Sequence, residues 1–525
     1  MRRLSWQGCL YFIAMFFPLA VAEAQNGFGL PSPFQGDEKS TILFNNEVTV
    51  RFQSEDDRFD DFSRVTSRTI EPVPVEPAVT TPPEPTDTTE GSIPVEPPQT
   101  YMIALQPLTV GGVPNGISLT PTSPAGAPKK YPTIDVTGFA QIDAVFFDQD
   151  PASRLANGDI QDYAGFRRAR LATKGQLTPN TGYFFEMDFA FPGRPSFMDV
   201  WVEQQKIPIL GNIRIGQFRQ PLSLDAMTGV RDLMFLERAL PFAFDPFRQI
   251  GVMAWDTALE ERMTWAASVY RFPTDVWGNS FGDGGYGMST RVTAIPRYDE
   301  TCNEVLHLGF GYSLNNPGDA GDININNQLR YQATPETGFT NGQQFNNQAI
   351  SNLGLTGPFL ANTGPISDVR HNNIFNLEFA YAYQSFLWQA EFFNVTVDRT
   401  ATDFNYTGAY SEMSYVLTGE RHKYNKKAAA FGRVVPDRPL GQTGMGAWEV
   451  AGRWSYIDLR DSTRPYTPGQ VAFLPAYLTD LTLGVNWYWN AYSKMQFNYI
   501  HAFQEIHGGP DTNTNMIALR TQFDF

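Results

Sequence analysis

The 525-residue chain has two cysteines and five histidines, and past its N-terminus no apolar run long enough to cross a bilayer as a helix. Cys9 precedes the N-terminal apolar run and is expected to leave with a cleaved leader, so Cys302 stands alone in the rest and makes no internal disulfide. His307, His371, His422, His501 and His507 are scattered singly, each a surface or interior residue rather than a metal ligand. H-E-x-x-H, C-x-x-C and G-x-S-x-G are all missing, which leaves no sequence signature of a zinc site, a redox pair or an activated serine. Cationic excess is missing too. A formal charge of -16 argues against nucleic-acid binding, which wants basic stripes. "GDGGYG" at 282–287 fits G-x-G-x-x-G letter for letter, but no helix follows it to face a pyrophosphate, so it reads as a loop. Nothing calls for a cofactor.

What is present is unusual. The chain carries 41 Phe, 22 Tyr, 10 Trp and 44 Gly, yet its mean hydropathy is only -0.30. Aromatic-rich, glycine-rich and polar on average is the composition of a membrane β-barrel, whose strands meet lipid on one face and water on the other. The opening "MRRLSWQGCLYFIAMFFPLAVAEAQ" has two arginines, an apolar run broken by Pro18, and Ala22-Glu23-Ala24. It predicts a secretory signal, residues 1–24, cleaved after Ala24. Residues 71–100 are Pro, Thr and Glu with few large apolar groups, a composition that cannot offset its ordering entropy. We therefore expect 25–132 to be a mostly disordered periplasmic arm, with a short strand at "EVTVRF" (47–52) and a path open to cell-wall contact. "GDAGDININN" (318–327) offers Asp319 and Asp322 in an external loop, as a calcium site or, more simply, a solvated turn.

From Thr133 the texture changes to strands of period two separated by turn residues. The runs are 133–147, 166–177, 181–191, 196–205, 211–218, 249–258, 262–271, 286–296, 304–315, 372–384, 386–398, 406–419, 446–460, 477–490, 493–503 and 513–525. A further run, 325–333, is set aside because an up-and-down barrel closes on an even count. In "TDLTLGVNWYWN", Leu481, Leu483, Val485, Trp487 and Trp489 form one row against Asp480, Thr482, Asn486 and Tyr488. Trp448, Val450, Trp454 and Tyr456 oppose Glu449, Arg453 and Ser455 in the same way. A soluble sandwich also alternates, but strands this long with so many charges on the polar face fit a water-filled lumen better. Phe525 is expected to end the strand that pairs with the first and closes the barrel, its ring toward lipid, and Trp489 and Phe147 to sit in the interfacial aromatic girdle. The fold class is thus all-β: a transmembrane antiparallel up-and-down barrel of sixteen strands over 133–525.

"FRRARL" (166–171), "IRIGQFRQPLSLD" (213–225), "FLERALP" (235–241), "YVLTGE" (415–420), "GAWEVAGRWSYIDL" (446–459), "LTLGVNWYWN" (481–490) and the terminal "LRTQFDF" together resemble the phosphate-selective porin O and P family of bacterial outer-membrane proteins. The resemblance implies a homotrimeric porin in outer-membrane lipid, with the stretch after "GQFRQP" folding into the lumen as a constriction. It implies passive diffusion of small hydrophilic solutes or ions, anions such as phosphate among them. The pore-lining and constriction cations are then Arg168, Arg170, Lys174, Arg214, Arg219, Arg231, Arg238, Arg291, Arg453 and Arg520. Guanidinium forks suit an oxyanion. Yet Glu186, Asp188, Asp199, Glu203, Glu378, Glu391, Glu412 and Glu449 face the same lumen, and Asp225, Asp232, Glu237 and Asp245 share 219–248 with its arginines. Balanced lists favour no anion by simple field. Two other readings stay open: a structural protein tethering the envelope through its N-terminal arm, and a barrel enzyme, which would need a Ser/His/Asp or Asp/His cluster at one rim.

Overall fold

A computed structural model describes residues 131–190, 194–280, 282–318, 328–337, 359–442, 444–463, 466–467 and 473–525, together with the backbone of 106–110 and 113–118. The 47–52 strand, the 318–327 calcium reading and residues 1–24 fall outside these, apart from Gly318. Within the stretch expected to be a mostly disordered arm, Gln106–Val110 and Val113–Ser118 form a hairpin, and Ile117 and Ser118 pair with Val136 and Asp135 at the start of the barrel.

The barrel strands are β1 (Asp135–Gln149), β2 (Tyr163–Thr178), β3 (Thr181–Asp188), β4 (Ser196–Ile207), β5 (Gly211–Arg219), β6 (Arg248–Ala258), β7 (Met263–Arg271) and β8 (Tyr286–Asp299). They continue with β9 (Glu304–Asn316), β10 (Val369–Tyr383), β11 (Phe386–Arg399), β12 (Phe404–Val416), β13 (Ala447–Asp458), β14 (Ala476–Tyr488), β15 (Ser493–Ile506) and β16 (Asp511–Asp524). Each pairs antiparallel with its neighbours in sequence, and β16 returns to β1 with Arg520 opposite Asp143 and Asp524 opposite Phe139. All sixteen expected runs are barrel strands, and the described part of 325–333 contributes a two-residue pairing of Gln332–Ala333 with Ala361–Asn362 and an isolated bridge between Leu329 and Ile366. Closure leaves the sixteen barrel strands without a first or last edge, which hydrocarbon would not tolerate.

Burial is inverted relative to a soluble protein. Asp480, Thr482, Asn486, Asn498 and Glu449 are fully buried on the inner face, while Leu481, Leu483, Val485, Phe497 and Trp454 stand exposed on the outer one. The alternation that marked these rows in the sequence is therefore the lumen-to-exterior alternation of the wall. Trp448 stacks on Trp487 with centroids 5.0 Å apart near one rim, and Tyr456 stacks on Tyr477 at 5.5 Å toward the other. Phe525 hydrogen-bonds Gly138 in both directions, at 3.0 and 3.1 Å, and its ring lies over that glycine, where a Cβ would come within 2.6 Å. Only glycine admits this close approach at the seam. The ring itself is on the outer face and 43% exposed.

The two rims differ. Connections at one end are mostly short, such as 179–180, 208–210, 259–262 and 384–385; those at the other include 220–247, 272–285 and 317–368. One connection breaks the rule. Residues 417–446 join β12 to β13 at the short-turn end, where both the start of β1 and the end of β16 also lie.

Candidate functional site: a lumen crossed by inserted segments

The expected constriction, 219–248, does turn inward, and the wall is built to receive it. At its start, Gly311 on β9 leaves room for the Leu222 carbonyl, with which a Cβ would collide. A single helical turn, Leu224–Met227, is capped by Ser223 and rests on Glu391 of β11. That carboxylate accepts from the backbone N–H of Leu224 and Asp225, both at 2.9 Å, and from the Tyr410 hydroxyl at 2.8 Å. The segment then crosses to the opposite wall, where its carbonyls meet a ladder of inward donors. Gln141 donates to Val230, Gln522 to Arg231, Lys494 to Leu233, Asn486 to Met234, Arg520 to Leu236 and Arg453 to Glu237. Buried carbonyls need such partners, so the polar row of β13 to β16 and β1 answers the backbone of the segment lying on it.

The ladder ends in a clasp. Glu237 lies between Arg167 at 3.2 Å, Arg168 at 2.7 Å and Arg520 at 2.7 Å, and Arg520 also holds Asp143 at 2.6 Å. Burial opposes ionisation of Glu237, but the three guanidinium groups outweigh it and hold the carboxyl well below the usual carboxylate range. Arg168 and Arg520 are among the most buried side chains of the described residues.

Two more segments fill the lumen. From the long-loop end, Glu336 reaches down to Arg453 at 2.8 Å and Thr482 at 2.7 Å. From the short-turn end, 417–446 folds up into the barrel, a feature not anticipated from the sequence. Its His422 meets Glu449 at 2.6 Å, its Tyr424 hydroxyl meets His307 at 2.7 Å, and its Ala428 and Ala429 carbonyls accept from Arg291. Arg433 then joins it to the constriction and to the last strand, with Asp232 at 3.0 Å and Asp524 at 2.6 Å. The one signal in the sequence was the long gap between the runs 406–419 and 446–460, at an end where the other gaps are short.

The ten cations therefore hold different posts. Arg168, Arg453 and Arg520 grip inserted segments, and Arg291 is shared between Glu378 at 2.7 Å and the 417–446 segment. Arg238 is buried, donating to the carbonyls of Asp225 and Thr228, both at 2.8 Å. Arg170 pairs with Asp188 at 2.8 Å, and Arg214 with Glu203 at 2.7 Å while stacking over Trp201. Arg219 donates to the carbonyls of Ala226, Met227 and Thr228 and stands 3.8 Å from Asp199. Arg231, 3.9 Å from Asp524, and Arg219 keep side-chain exposures of 26% and 24%, the highest among the paired members of the set. Lys174 on β2 has no carboxylate within ion-pair distance among the described residues.

Burial works against a charged His422, yet Glu449 and the Gly432 carbonyl prevail and hold the imidazole above its ordinary pKa. The sign follows from that rise: the docked 417–446 segment has its full stabilisation below the unfolded histidine value, about 6.5, and loses it as pH climbs through the raised folded value. Trypsin cleavage at the exposed Lys423 and Lys427 should accelerate as pH rises above the ordinary histidine value, beyond the protease's own pH response. In His422→Gln the extra acceleration should vanish; if it persists, His422 does not govern docking.

Comparison with known proteins matches this architecture. The family described as phosphate-selective porin O and P covers residues 135–525. Porin O of Pseudomonas aeruginosa is 25% identical over 383 residues, spanning 70% of this chain and 84% of that protein. An uncharacterised protein of Caulobacter vibrioides is 26% identical over 384 residues, 69% of this chain and 68% of its own. Among solved structures, an anion-selective porin from Comamonas acidovorans covers 74% of this chain and 99% of its own at 11% identity, with a TM-score of 0.44. With a closed sixteen-strand barrel whose lumen is crossed by inserted segments, and a family match running from the first barrel strand to the last residue, the chain belongs to the phosphate-selective porin O and P family and is an outer-membrane channel.

Proposed function

We propose that this channel passes small hydrophilic solutes with little preference for anions and no dedicated phosphate ladder. The observation that carries this is the employment of the lumen arginines. A guanidinium whose N–H groups already serve a carboxylate and a carbonyl, as in Arg168, Arg453 and Arg520, has few left for a passing oxyanion. Of the paired cations, the two that retain most exposure, Arg219 and Arg231, stand beside Asp199 and Asp524, which leaves the partly exposed Lys174 as the single cation of the set without an ion pair among the described residues. In a potassium chloride gradient the permeability ratio should lie within roughly threefold of unity, and millimolar phosphate should not block single channels. Anion preference beyond roughly tenfold, or micromolar block by phosphate, would overturn the reading. Arg231→Glu should shift the reversal potential toward cations, whereas Arg238→Glu should instead lower yield and thermal stability, because it places a carboxylate against buried carbonyls.

The rest of the reading supports this one. Residues 1–24 act as the signal, 25–132 extend into the periplasm, and the assembly is a homotrimer, as the family membership suggests. Short turns toward the periplasm put the 417–446 segment on that side. The protein is read as non-enzymatic. His307, His422 and His501 are each held by Glu378, Glu449 or Asn515, and His371 shares Asp398 with Arg370 on the row opposite the buried Asn372, as a surface ion pair does. Large ohmic steps in a planar bilayer separate the channel from a plugged structural barrel.

A further inference from the structure

At the long-loop end, the tail of the constriction, the 272–274 connection and the stretch 329–332 close over the inner wall around a partly open cavity. Most of its polar lining is already committed. Gln249 donates to Pro246 and accepts from Thr274, and the Asn315 carbonyl oxygen accepts from Tyr270. Two acceptors are left over. Asn372 is 1% exposed, and although its amide nitrogen donates to the Tyr331 hydroxyl at 2.7 Å, its Oδ1 is buried with no partner among the described residues. Asp245 uses one carboxylate oxygen on the Phe247 N–H, while Oδ2 is sheltered and unpartnered in the same sense. The same cavity is lined by Arg330, a half-buried guanidinium with no carboxylate within ion-pair distance among the described residues.

Buried acceptors without donors are costly and call for something that supplies them. An uncommitted guanidinium in the same cavity calls for the opposite charge. From these three residues we infer that the cavity is a solute subsite at the mouth of the channel for small zwitterions of the free amino acid class. The carboxylate lies on Arg330, and the ammonium donates to Asp245 Oδ2 and Asn372 Oδ1. Phe244, Phe272 and Ile374 supply the apolar wall for a short side chain. A simple anion would leave both acceptors unmet, and a simple amine would leave Arg330 unmet. The inference rests on the channel reading, since it makes the subsite part of the solute's path.

The test uses full-length protein in a planar bilayer with serine as the probe. Serine should add concentration-dependent blocking noise at millimolar levels, while acetate and methylammonium at equal concentration should not. Asp245→Asn and Arg330→Met should each weaken the serine block at least tenfold. Each variant's open steps and detergent-resistant mobility identify a misfolded barrel, and the comparison of three solutes on the wild type does not depend on any variant. Equal noise from acetate, no noise from serine in a channel with normal steps, or block unchanged in both variants would overturn the subsite and leave a water-filled cavity. Thermal unfolding in detergent with and without serine separates the two readings. A silent channel whose midpoint still rises with serine sinks the passage reading and keeps the binding site.

Discussion

Glu237→Ala is expected to widen the channel and weaken the protein at once. The substitution removes the carboxylate shared by Arg167, Arg168 and Arg520, three guanidinium groups closed off from solvent. Removing one partner of a buried ion pair typically costs about 3–5 kcal/mol, because the remaining charge is uncompensated. Here Asp143 keeps Arg520 partly paired, so the burden falls chiefly on Arg168, which keeps the Gln141 side-chain oxygen and loses its carboxylate. The cheapest relief is for the inserted segment to leave the wall and admit water. We therefore expect single-channel conductance to rise and the thermal midpoint to fall, with Glu237→Gln intermediate because it retains acceptors without charge. Acid should act on wild-type protein in the same direction, but only as pH falls through the depressed folded pKa of Glu237, below the ordinary carboxylate range. Conductance and midpoint both unchanged in Glu237→Ala would show that the carbonyl ladder alone holds the segment.

Deleting Phe523 to Phe525 should lower outer-membrane levels more severely than any single substitution discussed above. The deletion removes the paired backbone of Phe525 with Gly138, the pairing of Asp524 with Phe139, and the carboxylate that Arg433 holds at 2.6 Å. Two outer-face rings go with it, each worth about 1.5–3 kcal/mol by burial. A barrel of this size can bear that sum in detergent. In a bilayer the shortened seam exposes unpaired backbone groups to hydrocarbon, which costs several kcal/mol per group. Some refolding in detergent alongside strongly reduced membrane insertion in cells is the expected pattern. Equal amounts of truncated and intact protein in the membrane fraction would refute it.

The wall of this protein was legible because its code is local. Leu481, Leu483 and Val485 alternate with Asp480, Thr482 and Asn486, and a period of two needs no knowledge of what lies across the lumen. The posts of the cations were not legible, because they depend on what the closed barrel brings together. Arg520 meets Asp143 across a sequence separation of 377 residues, through a seam that exists only when the last strand pairs with the first. Arg453 meets Glu336, 117 residues away, because a loop dives into the lumen. Counting charges gave a balanced lumen but could not say that the balance is spent pair by pair inside the protein. The donor ladder was hidden for a further reason: Gln141, Asn486 and Gln522 bond backbone carbonyls, which no side-chain pattern records.

Arg433 gives the assembly an order in time. It needs Asp232 from the constriction and Asp524 from the final strand, so its full set of partners exists only after the barrel has closed. Until then a buried guanidinium would face one carboxylate instead of two, and the 417–446 segment is better left outside. The nascent barrel would thus stay wide while its strands are being added and narrow only at the end, with residue 524 acting as the latch that reports completion. An incomplete molecule would be leaky in a way the finished one is not, and conductance during refolding would overshoot before it settles.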